Sequence, residues 1–318
     1  MNCIMKPNIV FLDEYSICGC DLSGIRSLGR YTGYEKTRPE QVAERCREAD
    51  IVISNKVVLT AETIAALPRL KLICVAATGV NNIDLEAAAA RRIPVKNAVG
   101  YSTHAVAETT LGAVLALYRQ IGYYDRFVKS GAYAAQDVPF HFGLPTHQLH
   151  GKRWGVIGLG NIGREVARLA EAFGCTVAYT STSGQIREER YPALPLRELL
   201  AWADVVTVHC PLNERTRNLL GGGELACMKP TAVLVNVARG GIVDERALVE
   251  ALDSGRLGGA AIDVYEKEPI PADSPLLHAA RPERLLLSPH NAWAPVEAID
   301  VLIDCVKRNI EEFLKNEK

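Results

Sequence analysis

A chain of 318 residues is long enough for two domains rather than one. Apolar residues make up 48% and charged residues 23%, as in packed globular proteins, and a formal net charge of −1 gives no pull toward nucleic acid or an anionic membrane. The apolar run at 9–12 is too short for a secretory signal, no stretch reaches bilayer length, and nine scattered cysteines without paired CxxC spacing point to reduced thiols in a cytoplasmic protein, with no metal site implied.

In chain order, the first hundred residues alternate strand and helix signals. Strands are expected at 8–12, 51–54, 72–76 and from 94, with helices at 39–49, 60–67 and 84–92 between them. Pro39 suits a first helical turn, and Thr60 is a helix cap. Repeated βα units imply a parallel sheet covered by helices on both faces. A long helix follows over 104–120, where Val106, Thr110, Val114, Leu117 and Ile121 recur at three- and four-residue spacing. The Pro-, Gly- and His-rich stretch 131–149 reads as irregular. A second α/β run opens at Arg153, with strands expected at 154–157, 177–180, 205–209, 232–237, 259–264 and 285–288. Six is the number in a doubly wound dinucleotide sheet. A last helix is expected over 296–314, leaving that sheet and free to pack on the first domain.

Gly158, Gly160 and Gly163 spell G-x-G-x-x-G between an apolar strand and an amphipathic helix. In that context the first glycine permits a tight turn, the second admits a pyrophosphate, and the third allows close helix–strand contact. Helix amides then face the anion. The next strand should end in an acid for the adenosine ribose, but that position falls at Ser181 in AYTSTSG. Glu188 and Glu189 are the nearest acids and Arg187 the first arginine, so cofactor choice between NAD and NADP stays open. The hydroxyls of Thr180, Ser181, Thr182 and Ser183 could bond a 2′-phosphate or leave room for it, or simply form a polar strand end.

Arg239, Glu268 and His290 each follow an expected strand of this sheet, where ligands of open α/β folds bind. With a hydride from a nicotinamide, they can together serve the reduction of a 2-keto acid. The planar arginine fork holds a carboxylate, the imidazole gives a proton to the carbonyl oxygen, and the carboxylate favours the protonated ring. Read singly, each is equally an ordinary surface or strand-end residue. In the first domain, amides around Thr78, Gly79 and Val80 form either an anion nest or a plain turn.

The segments ATGVNNIDLEAA, GKRWGVIGLGNIGREVA, HCPLNERTRNLL, LVNVARGGIVDERAL, AIDVYEKEP and SPHNAW occur in order, and over nearly its full length the chain resembles the D-isomer-specific 2-hydroxyacid dehydrogenases. SNKVVLTAETI, VAATGVNNID and HNAWA bring it nearest the glycerate dehydrogenase, or hydroxypyruvate reductase, branch. The resemblance implies a flavodoxin-like substrate domain, residues 1–101 plus 293–318, into which a Rossmann cofactor domain, 102–292, is inserted, with a cleft that closes on the substrate. It implies that Arg239 binds the substrate carboxylate, that His290 is the acid/base oriented by Glu268, and that Asn55, Lys56, Thr78, Gly79, Val80 and Trp293 contact substrate. Asn161 and Ile162 match pyrophosphate contacts, and His209, Cys210, Pro211 and Thr216 the adenine side. Val237, Ala238 and Asp263 match positions near the nicotinamide.

The family pattern further implies a homodimer built through the cofactor domain and the helix 104–120, with the region of Phe140 and Phe142 able to reach the partner's cleft. The expected activity is interconversion of hydroxypyruvate and D-glycerate with NAD or NADP. The alternatives are reduction of glyoxylate, a phenylpyruvate-like acid or 3-phosphohydroxypyruvate, and a dinucleotide-sensing corepressor of the C-terminal-binding-protein type. Formate oxidation is disfavoured, because formate dehydrogenases carry glutamine where this chain has Glu268.

Overall fold

Short runs of Ile, Val and Leu suit strands buried on both faces of a parallel sheet. The structure, a computed structural model, describes residues 6–17, 19–185 and 189–316, so Arg187 and Glu188 lie outside the described residues. The chain divides into two compact units, Met1–Ser102 with Ala294–Lys318, and Thr103–Trp293.

In the first unit, strands β1 (Asn8–Phe11), β2 (Arg30–Gly33), β3 (Ile51–Ser54), β4 (Leu72–Val75) and β5 (Val95–Asn97) are all parallel, in the order β2-β1-β3-β4-β5. This is the flavodoxin-like order. All of β3 and β4 is buried, in keeping with sequences that are apolar except for Ser54. Strand β2 was not foreseen: RYTG lies largely exposed on the sheet edge and carries no apolar run. The helix expected over 39–49 is shorter and divided, a 3-10 turn at Pro39–Gln41 followed by Val42–Arg45. Thr60 does cap its helix, accepting from Thr63 N at 3.2 Å, and Asp84 caps the next, accepting from Ala87 N at 2.9 Å. The last helix, Val296–Asn316, packs on β4 and β5 through a face holding Leu302, Val306 and Ile310, and Asn309 Nδ2 donates to Asn97 O at 3.0 Å.

In the second unit, β6 (Arg153–Ile157), β7 (Thr176–Thr180), β8 (Val205–Val208), β9 (Val233–Asn236), β10 (Gly259–Ile262) and β11 (Leu285–Leu287) run parallel in the order β11-β10-β9-β8-β6-β7. The count of six matches the expectation, but these are not the usual six. The usual order puts a further strand outside β7; here that place holds only a bridge between Tyr179 and Ala193. Pro192 and Pro195 flank that bridge, and proline cannot donate to a ladder. The sixth strand is β11, at the opposite edge.

The long helix is Thr103–Arg119. Gln120 then turns left-handed at φ 51° and a second helix, Ile121–Lys129, begins with Ile121 exposed rather than continuing the buried stripe. Trp154 is wholly buried in this unit, its Nε1 donating to Thr207 Oγ1 at 3.1 Å. No helix among the described residues is long and apolar enough to cross a membrane.

Candidate active site

Strand β6 ends in the glycine turn. Gly158 has φ +92°, and a Cβ there would meet Cys210 N at 2.8 Å, so glycine is needed for both conformation and space. A Cβ on Gly163 would lie 2.3 Å from Gly158 O, whereas one on Gly160 would meet nothing within 4 Å. The second glycine therefore leaves open space in front of the helix Asn161–Ala172, whose first amides receive no side-chain cap. Asn161 and Ile162 sit in that first turn, which is suited to an anion.

Gly158, Gly160, Ser181, His209, Cys210 and Pro211 line one cavity of about 260 Å³. His209 Nε2 is buried there with no hydrogen-bond partner, and burial pushes the imidazole pKa down to about 3, so the ring is neutral and one nitrogen remains for a ligand. Burial likewise pushes the Cys210 thiol up to about 11, which makes it unreactive at neutral pH. Thr216 is not in that lining. It is buried and folds the preceding loop, donating to Pro211 O at 2.6 Å and accepting from Asn213 N at 2.8 Å. The open turn, the uncapped helix and the orphaned His209 nitrogen fit a dinucleotide.

The chemistry-bearing residues leave three neighbouring strands. After β9, buried Asn236 shapes the turn: its Nδ2 donates to Arg239 O at 3.0 Å and its Oδ1 accepts from Ala238 N at 3.1 Å. A Cβ on the next residue, Gly240, would fall 1.8 Å from Tyr265 O, so the Arg239 loop lies directly against the backbone that follows β10. Tyr265 then serves two neighbours. Its amide donates to Glu268 Oε1 at 3.1 Å, and its hydroxyl to Ser288 O at 2.8 Å beyond β11. Glu268 Oε2 lies 2.7 Å from His290 Nδ1. The Nδ1 edge is thereby committed, which leaves Nε2 for proton transfer.

His290 has φ 52°, a left-handed conformation costing about 1–3 kcal/mol in a non-glycine residue. The surroundings hold it there. Asp263, 2% exposed, accepts from Ser288 Oγ at 2.6 Å, Asn291 N at 3.0 Å and Ala292 N at 3.1 Å, bracketing the histidine on both sides. Trp293 Nε1 donates to His290 O at 2.9 Å. Val237 and Asp263 also line a separate cavity of about 290 Å³, and Ala238 is half-buried.

Within the first unit, Asn55 and Lys56 follow β3 on a loop held by Asp13, whose buried carboxylate accepts from Asn55 N at 2.9 Å, Lys56 N at 2.6 Å and Val57 N at 3.2 Å. Burial raises the Asp13 pKa, and those three amides oppose the rise. Asn55 Nδ2 is buried without a partner. Thr78, Gly79 and Val80 follow β4, and Thr78 Oγ1 donates to Ala98 O at 3.1 Å. Asn82 links the two loops, donating to Val57 O at 3.0 Å.

Asp13, Asn82, Asn236, Gly240 and Tyr265 were not singled out from sequence. Asp13 gave a usable signal, an acid directly after an apolar strand; the Gly240–Tyr265 contact gave none, because it is a non-local meeting of backbones. Gly240→Ala is expected to destabilise the fold by about 1–3 kcal/mol and to lower kcat by displacing the segment that holds Glu268. Thermal unfolding and kcat check this together, and two wild-type values would refute it.

Residues 111–292 match the family profile described as D-isomer specific 2-hydroxyacid dehydrogenase, NAD binding domain. A glycerate dehydrogenase of Methylorubrum extorquens is 38% identical, over 98% of this chain and 97% of its own. A hydroxypyruvate reductase of Blautia hydrogenotrophica is 34% identical, over 96% and 97%. Among solved structures, an NADPH-dependent glyoxylate/hydroxypyruvate reductase from Sinorhizobium meliloti, in complex with NADP and malonate, superposes with a TM-score of 0.84 at 28% identity, covering 97% of this chain and 94% of that one.

Proposed function

The chain belongs to the D-isomer-specific 2-hydroxyacid dehydrogenases, and from that premise we propose that it interconverts hydroxypyruvate and D-glycerate. The observation that carries the acid/base role is the 2.7 Å contact between Glu268 Oε2 and His290 Nδ1. The choice of substrate is supported by near full-length likeness to a glycerate dehydrogenase and a hydroxypyruvate reductase.

A bound nicotinamide dinucleotide supplies hydride chemistry at C2 of the keto acid. Arg239 binds the substrate carboxylate through its guanidinium fork, which orients the carbonyl. His290 Nε2 gives a proton to the C2 oxygen during reduction and takes it back during oxidation. Glu268 keeps Nδ1 as the donor toward itself, so the ring presents one defined nitrogen and the positive form is stabilised as the proton arrives. A reducing, cytoplasmic setting is part of the proposal, and the seven described cysteines are all unpaired.

The test is kcat/KM for hydroxypyruvate, glyoxylate, phenylpyruvate and 3-phosphohydroxypyruvate under one set of conditions. Hydroxypyruvate is expected to lead. A higher value for glyoxylate would transfer the assignment to glyoxylate reduction, and no turnover of any acid despite dinucleotide binding would favour the sensing role.

We also propose a homodimer. Phe140 and Phe142 are 68% and 90% exposed on the segment after the helix Ile121–Lys129, an apolar display that a second copy would cover. The double substitution Phe140→Ser with Phe142→Ser is expected to raise the dimer Kd about a hundredfold or more. Light-scattering mass against concentration decides it, and a wild-type protein that is monomeric throughout would exclude the dimer.

A further inference from the structure

We propose that Asp13 is a positioning residue for the keto acid: its buried carboxylate, with Asn82 acting from the other side, fixes the Asn55–Val57 loop in the shape that receives the substrate. The inference rests on the proposed activity and names a determinant of substrate binding within it.

The first sheet runs in the order β2-β1-β3-β4-β5, so the direction of strand addition reverses between β1 and β3. In open parallel sheets a ligand binds outside the carboxyl ends of the strands that flank such a reversal. Asp13 lies just beyond the end of β1, and Asn55–Val57 follow directly on β3. The backbone around Asp13 is pinned. Leu12 N donates to Ile53 O at 3.0 Å, which carries the ladder past Phe11, and Ser16 Oγ donates to Asp13 O at 2.8 Å.

Three consecutive amides point at the one carboxylate. Oδ1 accepts from Asn55 N at 2.9 Å, and Oδ2 from Lys56 N at 2.6 Å and Val57 N at 3.2 Å. Asp13 is 0% exposed, so it acts on a substrate only through this loop. The carbonyls of the same loop are held by Asn82, whose Nδ2 donates to Val57 O at 3.0 Å and Asn55 O at 3.4 Å. Asn82 is itself anchored, its carbonyl accepting from Leu59 N at 2.8 Å. It follows Thr78–Val80, so the loops after β3 and β4 are tied together. Closing a loop requires no charge, because a water or a hydroxyl can satisfy amides. A carboxylate taken out of water is the costlier acceptor, and the rise that burial imposes on the Asp13 pKa records that cost. Such a cost is in keeping with a loop that must hold one geometry for a ligand.

The experiment measures Tm, dinucleotide Kd, and kcat and KM for hydroxypyruvate in Asp13→Asn and Asn82→Asp. Asparagine keeps the shape of Asp13 but, in either orientation of its carboxamide, turns an NH₂ group toward at least one of the three amides. Asn82→Asp turns an acceptor toward Val57 O from a half-buried position, and it decides the matter if Asp13→Asn fails to fold. Both variants are expected to raise KM about tenfold or more and to keep kcat within about threefold of wild type, since the loop binds substrate while proton transfer stays with His290. Dinucleotide Kd is expected to hold its wild-type value, because the glycine turn belongs to the other unit. A purely structural Asp13 would lower Tm and the active fraction, and with it kcat, and leave KM unchanged. That result, or a dinucleotide Kd that shifts as far as KM, would overturn the inference. A wild type that turns over no keto acid would sink the proposed activity before any variant is compared, and the inference with it.

Discussion

His290→Asn should lower kcat for keto acid reduction by about 10²–10⁴-fold, the range for losing a positioned general acid. Asparagine is the informative replacement because position 290 sits at φ 52°, a region asparagine tolerates better than alanine. The bracket of Asp263 contacts to Ser288, Asn291 and Ala292 does not involve the imidazole, so the loop should persist. Dinucleotide affinity should then stay close to wild type, since the glycine turn and His209 lie on other strands. Paired measurement of kcat and dinucleotide Kd separates chemistry from folding. A kcat within tenfold of wild type would remove His290 from proton transfer.

Arg239→Ala should reduce kcat/KM by about 10³-fold, from loss of two charge-assisted hydrogen bonds worth roughly 1.5–3 kcal/mol each. The turn around it is set by Asn236 and Gly240 rather than by the guanidinium, although Nη1 does donate to Ala238 O at 2.7 Å. The substitution should therefore cost substrate recognition more than stability. Arg239→Lys keeps the charge and loses the planar fork, and should recover only part of the deficit. Full recovery by lysine would show that charge alone suffices. An unchanged kcat/KM in Arg239→Ala would refute carboxylate binding at this residue.

Much of the architecture is written locally. The buried runs of β3, β4 and β8 show as mainly apolar sequence, interrupted only by Ser54 and Thr207, and the capped helices announce themselves at Thr60 and Asp84. What escapes is whatever burial does not stamp on the sequence. Strand β2 is an exposed edge, the helix Ile121–Lys129 buries none of its residues, and the place beyond β7 is reduced to a bridge between prolines.

The site divides the same way. Arg239, Glu268 and His290 stand out because each follows an apolar strand with a residue type that chemistry uses. The framework that sets them does not stand out. It consists of non-local contacts: Gly240 on Tyr265, Tyr265 on Glu268 and Ser288, and Asp263 on the histidine loop.

The most direct test of the assignment is the initial rate of dinucleotide oxidation by the wild-type protein on addition of hydroxypyruvate, with the product identified by chiral chromatography. Turnover is expected, with one dinucleotide oxidised per D-glycerate formed. Dinucleotide binding with no turnover of hydroxypyruvate, or formation of L-glycerate, would contradict it.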